Sequence, residues 1–279
     1  MSERPETQTG HGSWPRELTT RVLPDVQVAN EVPGSFAILS ESVFVSSPLE
    51  FEPHEHPLHE LVWVRGGTMT VRLAESIVTV PDGYALWIPA GTLHSGRTTA
   101  KTTLFDALFD PARSPVGFTD PMTIEVTPVL ASLLAYLEGT ELSDDARLRA
   151  EAVVFDVLAP AEQQLSLRVP HVERLAPIVT ALLADPSGDR PLEDWAKLAG
   201  VSERTVSRLF RTHTGLSVTQ WRQVLRVHHA LALLTEGRTV QEVSELTGYA
   251  QASTFIASFK RVMGTTPGAL IGASPAGRP

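Results

Sequence analysis

The sequence predicts a β domain followed by an all-α domain. Three observations carry that reading. Short β-rich runs punctuated by Gly, Pro and Asp fill residues 34 to 110, helical periodicity sets in near residue 126, and one short pattern occurs twice between residues 192 and 264. At 279 residues the chain can hold two separate cores, and 42% hydrophobic with 20% charged residues is the balance of an ordinary globular protein. No apolar stretch approaches the roughly 18–20 residues that span a bilayer. The first residues lack a signal-peptide pattern, and the absence of cysteine removes disulfides and thiolate metal ligands. A cytoplasmic protein with no membrane partner is expected.

Taken in order, residues 1–20 are polar and carry Pro5, Gly10, Gly12 and Pro15, as a loose tail would. Residues 21–125 form the β domain, with strands expected at 36–39, 43–45, 60–64, 68–73, 77–80, 85–88 and 103–108. Many short strands at close spacing make a barrel or sandwich. Trp63, Trp87, Phe105 and Phe109 are expected to pack its wall, and Arg65, Arg72 and Arg97 to be solvated, one facing inward instead favouring an anionic effector. Thr127-Pro128 and Ser143 are helix-opening signals for runs at 129–138 and 144–158, so residues 126–170 read as a helical region that links domains or pairs subunits. Glu141, Asp144, Asp145 and Glu151 read there as a solvated helix face, and 160–170 as a linker. A third helical run, 172–184, opens a domain spanning 171–279.

The charge divides along the same boundary. Residues 1–170 hold 11 Lys/Arg against 23 Asp/Glu, a balance of −12, whereas residues 171–279 hold 12 against 9, a balance of +3. Only the second domain has the sign that suits a nucleic-acid partner.

The repeat gives that partner a shape. Its first copy runs Leu192, Trp195, Ala196, Gly200, Val201, Val206, Phe210, Arg211, Gly215; its second runs Val240, Val243, Ser244, Gly248, Tyr249, Phe255, Phe259, Lys260, Gly264. In each, an apolar-faced helix ends at a glycine, a turn follows, and a second helix places a basic residue directly after a buried Phe. This is the sequence form of a helix-turn-helix, whose second helix enters the DNA major groove. Ser202 is placed to cap the first recognition helix, and Thr239 with Glu242 makes a capping box for the next unit. If Val206, Leu209 and Phe210 face inward, Arg204, Ser207, Arg208 and Arg211 face the DNA. The corresponding positions of the second unit are Ala252, Ser253, Ile256 and Ala257, followed by Lys260. The first helix is therefore expected to read bases and the second to hold phosphates through Lys260 with Arg261 beside it, Ile256 being suited to a thymine methyl. Residues 218–236 form a spacer helix of about 28 Å.

The stretch resembles the DNA-binding domain of the AraC/XylS family of bacterial transcription regulators, through Ala196, Ser202, Arg208-Leu209-Phe210, Gly215-Leu216-Ser217, Trp221-Arg222, Arg226, Gly248-Tyr249, Ser253-Thr254-Phe255, Phe259-Lys260, Gly264 and Thr266-Pro267. The resemblance implies double-stranded promoter DNA as a partner, RNA polymerase as a further one, and a homodimer.

A second constellation lies in the β domain. His54-x-His56, three residues, Glu60, five residues, Gly66, and then Gly83, five residues, Pro89-x-Gly91, two residues, His94 resemble the two cupin motifs, which implies a double-stranded β-helix barrel. Carried over by position, the resemblance makes His54, His56, Glu60 and His94 ligands to one divalent ion. Three imidazoles and a carboxylate suit Zn, Fe, Mn, Ni or Co. In regulators with such a sensor the same positions alternatively line an effector pocket. His59 is expected to point outward. Together the domains predict a transcription regulator, not an enzyme, whose barrel senses a small molecule or metal. The competing reading is a metal-dependent cupin oxygenase or isomerase fused to a DNA anchor, for which the sequence offers no dedicated acid–base partner.

Overall fold

The computed structural model describes residues 20–23, 28–139 and 142–273, so the expected tail over 1–19 and Glu141 fall outside the described residues. The strands are β1 (Arg21–Leu23), β2 (Ile38–Val45), β3 (Leu49–His54), β4 (His59–Arg65), β5 (Thr68–Leu73), β6 (Ser76–Pro81), β7 (Tyr84–Ile88), β8 (His94–Thr98), β9 (Thr102–Phe109), β10 (Met122–Glu125) and β11 (Ser166–Arg168). They form a six-stranded sheet ordered β1-β3-β8-β5-β6-β11 and a five-stranded sheet ordered β10-β7-β4-β9-β2.

Alternation along the strands sorts the side chains by face. From the five-stranded sheet, Val62, Val64, Leu86, Ile88 and Leu104 point inward to meet Met69, Val71, Val78 and Val80 of the other sheet. Leu61, Trp63, Ala85, Trp87, Ala107 and Phe109 point outward, where helices α1 (Pro128–Leu137) and α2 (Asp144–Val157) cover them. The aromatic residues do line this wall: Trp63 stacks on Phe105 at 5.0 Å between centroids. Both helices start as expected, with Thr127 accepting from Leu130 N and Ser143 from Ala146 N.

Four expectations are corrected. The runs at 36–39 and 43–45 belong to one strand, β2, while β8, of sequence HSGRT, carries no apolar alternation and is a strand because β3 and β5 pair with it on both sides. The linker over 160–170 contains β11, paired antiparallel to β6 with Leu167 opposite Ile77. Arg72 is buried. Glu151, read as solvated, is 3% exposed. It accepts from Ala37 N and Ile38 N at 3.0 and 3.1 Å, beside Arg147, whose Nη2 donates to Ile38 O at 2.6 Å. The pair thereby satisfies the open edge of β2, a need invisible in the helix's own sequence.

After a 3-10 turn at Glu173–Leu175 the second domain is helical: α3 (Ala176–Ala184), α4 (Leu192–Leu198), α5 (Glu203–Thr214), α6 (Val218–Thr235), α7 (Val240–Leu246), α8 (Ala252–Met263) and α9 (Pro267–Ala273). One half of α6 buries Trp221 and Leu225 against Trp195, Val206 and Phe210. The other half buries Leu231 and Leu234 in the cluster that holds Val243, Phe255 and Phe259. The barrel joins both cores: Ile77 and Leu167 enter the first and Leu165 the second. Trp221 Nε1 donates to Arg168 O at 2.7 Å, and Gln163 Nε2 to Val262 O at 2.7 Å.

Candidate nucleic-acid interface and barrel site

Each helix-turn-helix unit is built as its sequence requires. Ser202 caps α5 by accepting from Thr205 N, and Thr239 with Glu242 closes a capping box on α7. Gly200 and Gly248 turn the chain at φ of +64° and +76°. Val206 and Phe210 are fully buried, so the remaining faces of α5 turn outward: Arg204, Arg208 and Arg211 are exposed and Ser207 is half-buried beside them. On α8, Phe255 and Phe259 are buried, while Ser253, Ile256, Ala257 and Lys260 are exposed and Ala252 is half-buried. The two faces therefore stand where the repeat placed them, one rich in guanidinium groups and the other small and apolar with one ammonium. Arg261 is otherwise engaged, donating to Gln223 Oε1 on α6 at 2.8 Å.

Two arginines of α6 act inside the fold. Arg226 donates from Nε to Pro186 O at 2.9 Å, from Nη2 to Ser187 O at 2.9 Å and from Nη1 to Gly248 O at 3.2 Å. Arg222 donates to Arg190 O at 3.2 Å and to Gly188 O. The spacer helix thus grips the loop before α4 and the turn of the second unit together. At Gly248 the Ser187 carbonyl occupies the space a Cβ would need.

In the barrel, the predicted ligands come from three strands and the turn between two of them. His54 ends β3, His56 lies in the Pro57-containing turn, Glu60 is on β4 and His94 opens β8. Nε2 of His56 and Nε2 of His94 each lie 3.2 Å from Glu60 Oε2, and the ligating atoms of these three residues are all within 4.8 Å of one another. His54 is the exception to the expected four. It falls outside the tight group, although its ring sits 4.2 Å from that of His94 between centroids and its Nδ1 faces Glu52 O at 2.8 Å. His56 Nδ1 likewise faces Leu58 O at 2.7 Å and His94 Nδ1 faces Thr92 O at 2.8 Å. A carbonyl can only accept, so Nδ1 carries the proton in all three rings. That pattern, common in metal-binding histidines, leaves Nε2 as the nitrogen that His56 and His94 each turn to Glu60: protonated it donates to the carboxylate, and only after losing that proton would it serve as a ligand.

Electrostatics follow from burial. Burial pushes the Glu60 carboxyl up, but the bonds from His56 and His94 outweigh it and hold the group at about 2. Burial disfavours charge on His94 too, yet Glu60 raises it above the ordinary imidazole value. His54 is lowered by burial and by the neighbouring His94. His59 faces away from the site, its Nδ1 accepting from Ala90 N at 3.0 Å.

One site residue was not anticipated. Asp106 on β9 lines a cavity of about 70 Å³ together with His54, Glu60 and His94 and the apolar Phe51, Val62, Met69, Ile88 and Leu104. Its Oδ1 is covered and has no hydrogen-bond partner among the described residues. Burial, then the charges of Glu60 and Glu41, raise this carboxyl well above the usual aspartate value. The alternation Leu104-x-Asp106-x-Leu108 was the available signal, since it sets the aspartate on the inward face.

Comparison with known proteins bears on both halves. Residues 48–156 match an AraC-like ligand binding domain, and residues 195–272 match a helix-turn-helix domain. The chain is 32% identical over 246 residues to the HTH-type transcriptional regulator NimR of Escherichia coli (strain K12), spanning 87% of this chain and 88% of that protein. It is 30% identical over 230 residues to the HTH-type transcriptional regulator RipA of Corynebacterium glutamicum, spanning 78% and 65% respectively. Among solved structures, the DNA-binding domain of AdpA in complex with a target DNA aligns at 33% identity and a TM-score of 0.36, covering 39% of this chain and 98% of that one. Among the described residues no helix is long and apolar enough to cross a membrane. With a β-rich ligand-binding domain joined to two helix-turn-helix units, the chain belongs to the AraC family of DNA-binding transcription regulators.

Proposed function

We propose that this protein is a cytoplasmic, effector-responsive regulator, not an enzyme, in which α5 reads base edges and α8 anchors the DNA backbone. The observation that carries the reading is the inequality of the two exposed faces. Arg204, Ser207, Arg208 and Arg211 offer forked donors suited to guanine edges, whereas Ala252, Ser253 and Ile256 offer little beyond apolar contact next to Lys260. Selection from a random DNA pool followed by affinity measurements tests it. Arg208→Ala should cost about 1–3 kcal/mol and relax preference at one base position. Lys260→Ala should weaken all sequences evenly and lower the salt slope by about 1. An even loss with Arg208→Ala would reverse its assignment to base reading.

Two further parts belong to this proposal. Val129, Tyr136, Leu148 and Val153 are exposed apolar residues on α1 and α2, and they support subunit pairing there. Introducing charge by Leu148→Glu with Val153→Glu should give a monomer in sedimentation. The convergence of His56, Glu60 and His94 favours a metal-loaded barrel as a second reading of the sensor. These three residues would hold a Zn, Fe, Mn, Ni or Co ion, which when bound supplies a Lewis-acidic position for an effector's donor atom. Elemental analysis of protein purified without an affinity tag or chelator tests this, with about one ion per chain expected, and none in the His56→Ala, His94→Ala variant. Oxygen consumption by metal-loaded protein would overturn the non-enzymatic reading.

A further inference from the structure

We propose that the barrel cavity recognises a small organic cation, an amidinium or ammonium group, and that Asp106 is the residue that receives it. The inference rests on the effector-sensing reading of the barrel and names the chemistry of the effector. Asp106 occupies an inward position on β9 that its neighbours Leu104 and Leu108 fill with apolar groups. Leaving a carboxylate oxygen covered and unbonded costs about 1–3 kcal/mol, so a fold that keeps one beside a cavity has a use for it.

The surroundings decide the sign of the partner. Two carboxyl groups, Asp106 and Glu60, line the cavity with the imidazoles of His54 and His94, and among the described residues its lining contains no lysine or arginine. Glu60 is already matched by the Nε2 atoms of His56 and His94. Asp106 has no such match at Oδ1 among the described residues, and a covered carboxylate oxygen without a donor is costly until a cation supplies one. An anionic ligand would meet the unmatched oxygen of Asp106. A cation with N–H donors instead completes a charge-assisted hydrogen bond inside an otherwise apolar wall of Phe51, Val62, Met69 and Ile88. The cavity admits a head group of only a few heavy atoms, which favours a compact planar or tetrahedral nitrogen centre.

The test uses three molecules of nearly one shape on the full chain: acetamidinium, acetamide and acetate, with binding followed by ligand-observed NMR titration. Acetamidinium should bind at least tenfold more tightly than either isostere. Asp106→Asn, which keeps the shape and removes the charge, should erase that preference while far-UV circular dichroism and the thermal midpoint remain those of a folded protein. Asp106→Leu, with its cavity wall made fully apolar, should lose acetamidinium as well. Equal binding of acetamide or acetate, no acetamidinium binding by the unmodified chain, unchanged binding by Asp106→Asn, or binding that appears only after Zn²⁺ is added would each overturn the proposal. DNA binding of the same preparations is measured in parallel. Its loss in the unmodified protein would sink the regulator reading, whereas failure of the amidinium series alone touches only Asp106.

Discussion

His228 should make the spacer helix acid-sensitive. It lies on α6 with its side chain buried in the helical domain, and its Nδ1 has no hydrogen-bond partner. Burial alone lowers its pKa from 6.5 to about 4. In the window between those values the unfolded chain takes up a proton that the folded chain refuses, so stability falls as pH falls. At 1.36 kcal/mol per unit, the penalty is about 2 kcal/mol by pH 5 and about 3 kcal/mol once pH reaches the folded-state value. Urea unfolding at pH 7 and pH 5, read by tryptophan fluorescence, measures it. Other groups titrate over the same range, so the informative quantity is the difference between the unmodified protein and His228→Met. The variant should lose about 2 kcal/mol less between the two pH values. Because α6 carries both helix-turn-helix units, DNA affinity should follow the same trend. Parallel stability curves for the two proteins would refute the reasoning.

Three other outcomes are expected. Glu151→Ala removes the acceptor for two backbone N–H groups and leaves Arg147 beside them uncompensated, which should cost about 3–5 kcal/mol in urea unfolding of the barrel. Gly200→Ala and Gly248→Ala form a matched pair, since both sites have positive φ but only Gly248 abuts the Ser187 carbonyl. The first should cost about 1–2 kcal/mol and the second clearly more, and equal costs would remove the close approach from the account. Trp221→Phe deletes the donor to Arg168 O and should cost about 1 kcal/mol, with greater protease sensitivity around residues 160–170.

Local chemistry made the helical domain legible before any coordinates. Ser202, Thr239 and Glu242 announce helix starts through interactions spanning three residues, and the Phe–basic pairs fix which face is inside. The barrel was legible in outline only. Its strand β8 is held by partners 40 residues or so to one side and about 25 to the other, and such pairing leaves no mark within HSGRT. Glu151 shows the same limit from the helix side. Its i,i+4 relation to Arg147 is plain in the sequence, but the backbone it satisfies lies 113 and 114 residues away. Asp106 differs, because strand parity alone places it inward. The histidines were recognised by spacing, while the register shift just before His54 depends on how β3 meets β8.

The placement of β11 determines what kind of machine the two domains can form. A tether of eleven disordered residues would let the DNA-binding domain search freely and would transmit no torque. Here the connecting chain is itself the last strand of the six-stranded sheet, with Leu167 on Ile77, and it is bonded to α6 through Arg168 and to the end of α8 through Gln163. Any shift of β6 that accompanies filling of the barrel is therefore delivered to both recognition units in the same instant. Releasing either unit from the barrel therefore means breaking shared apolar packing and these bonds as well as the short β-ladder.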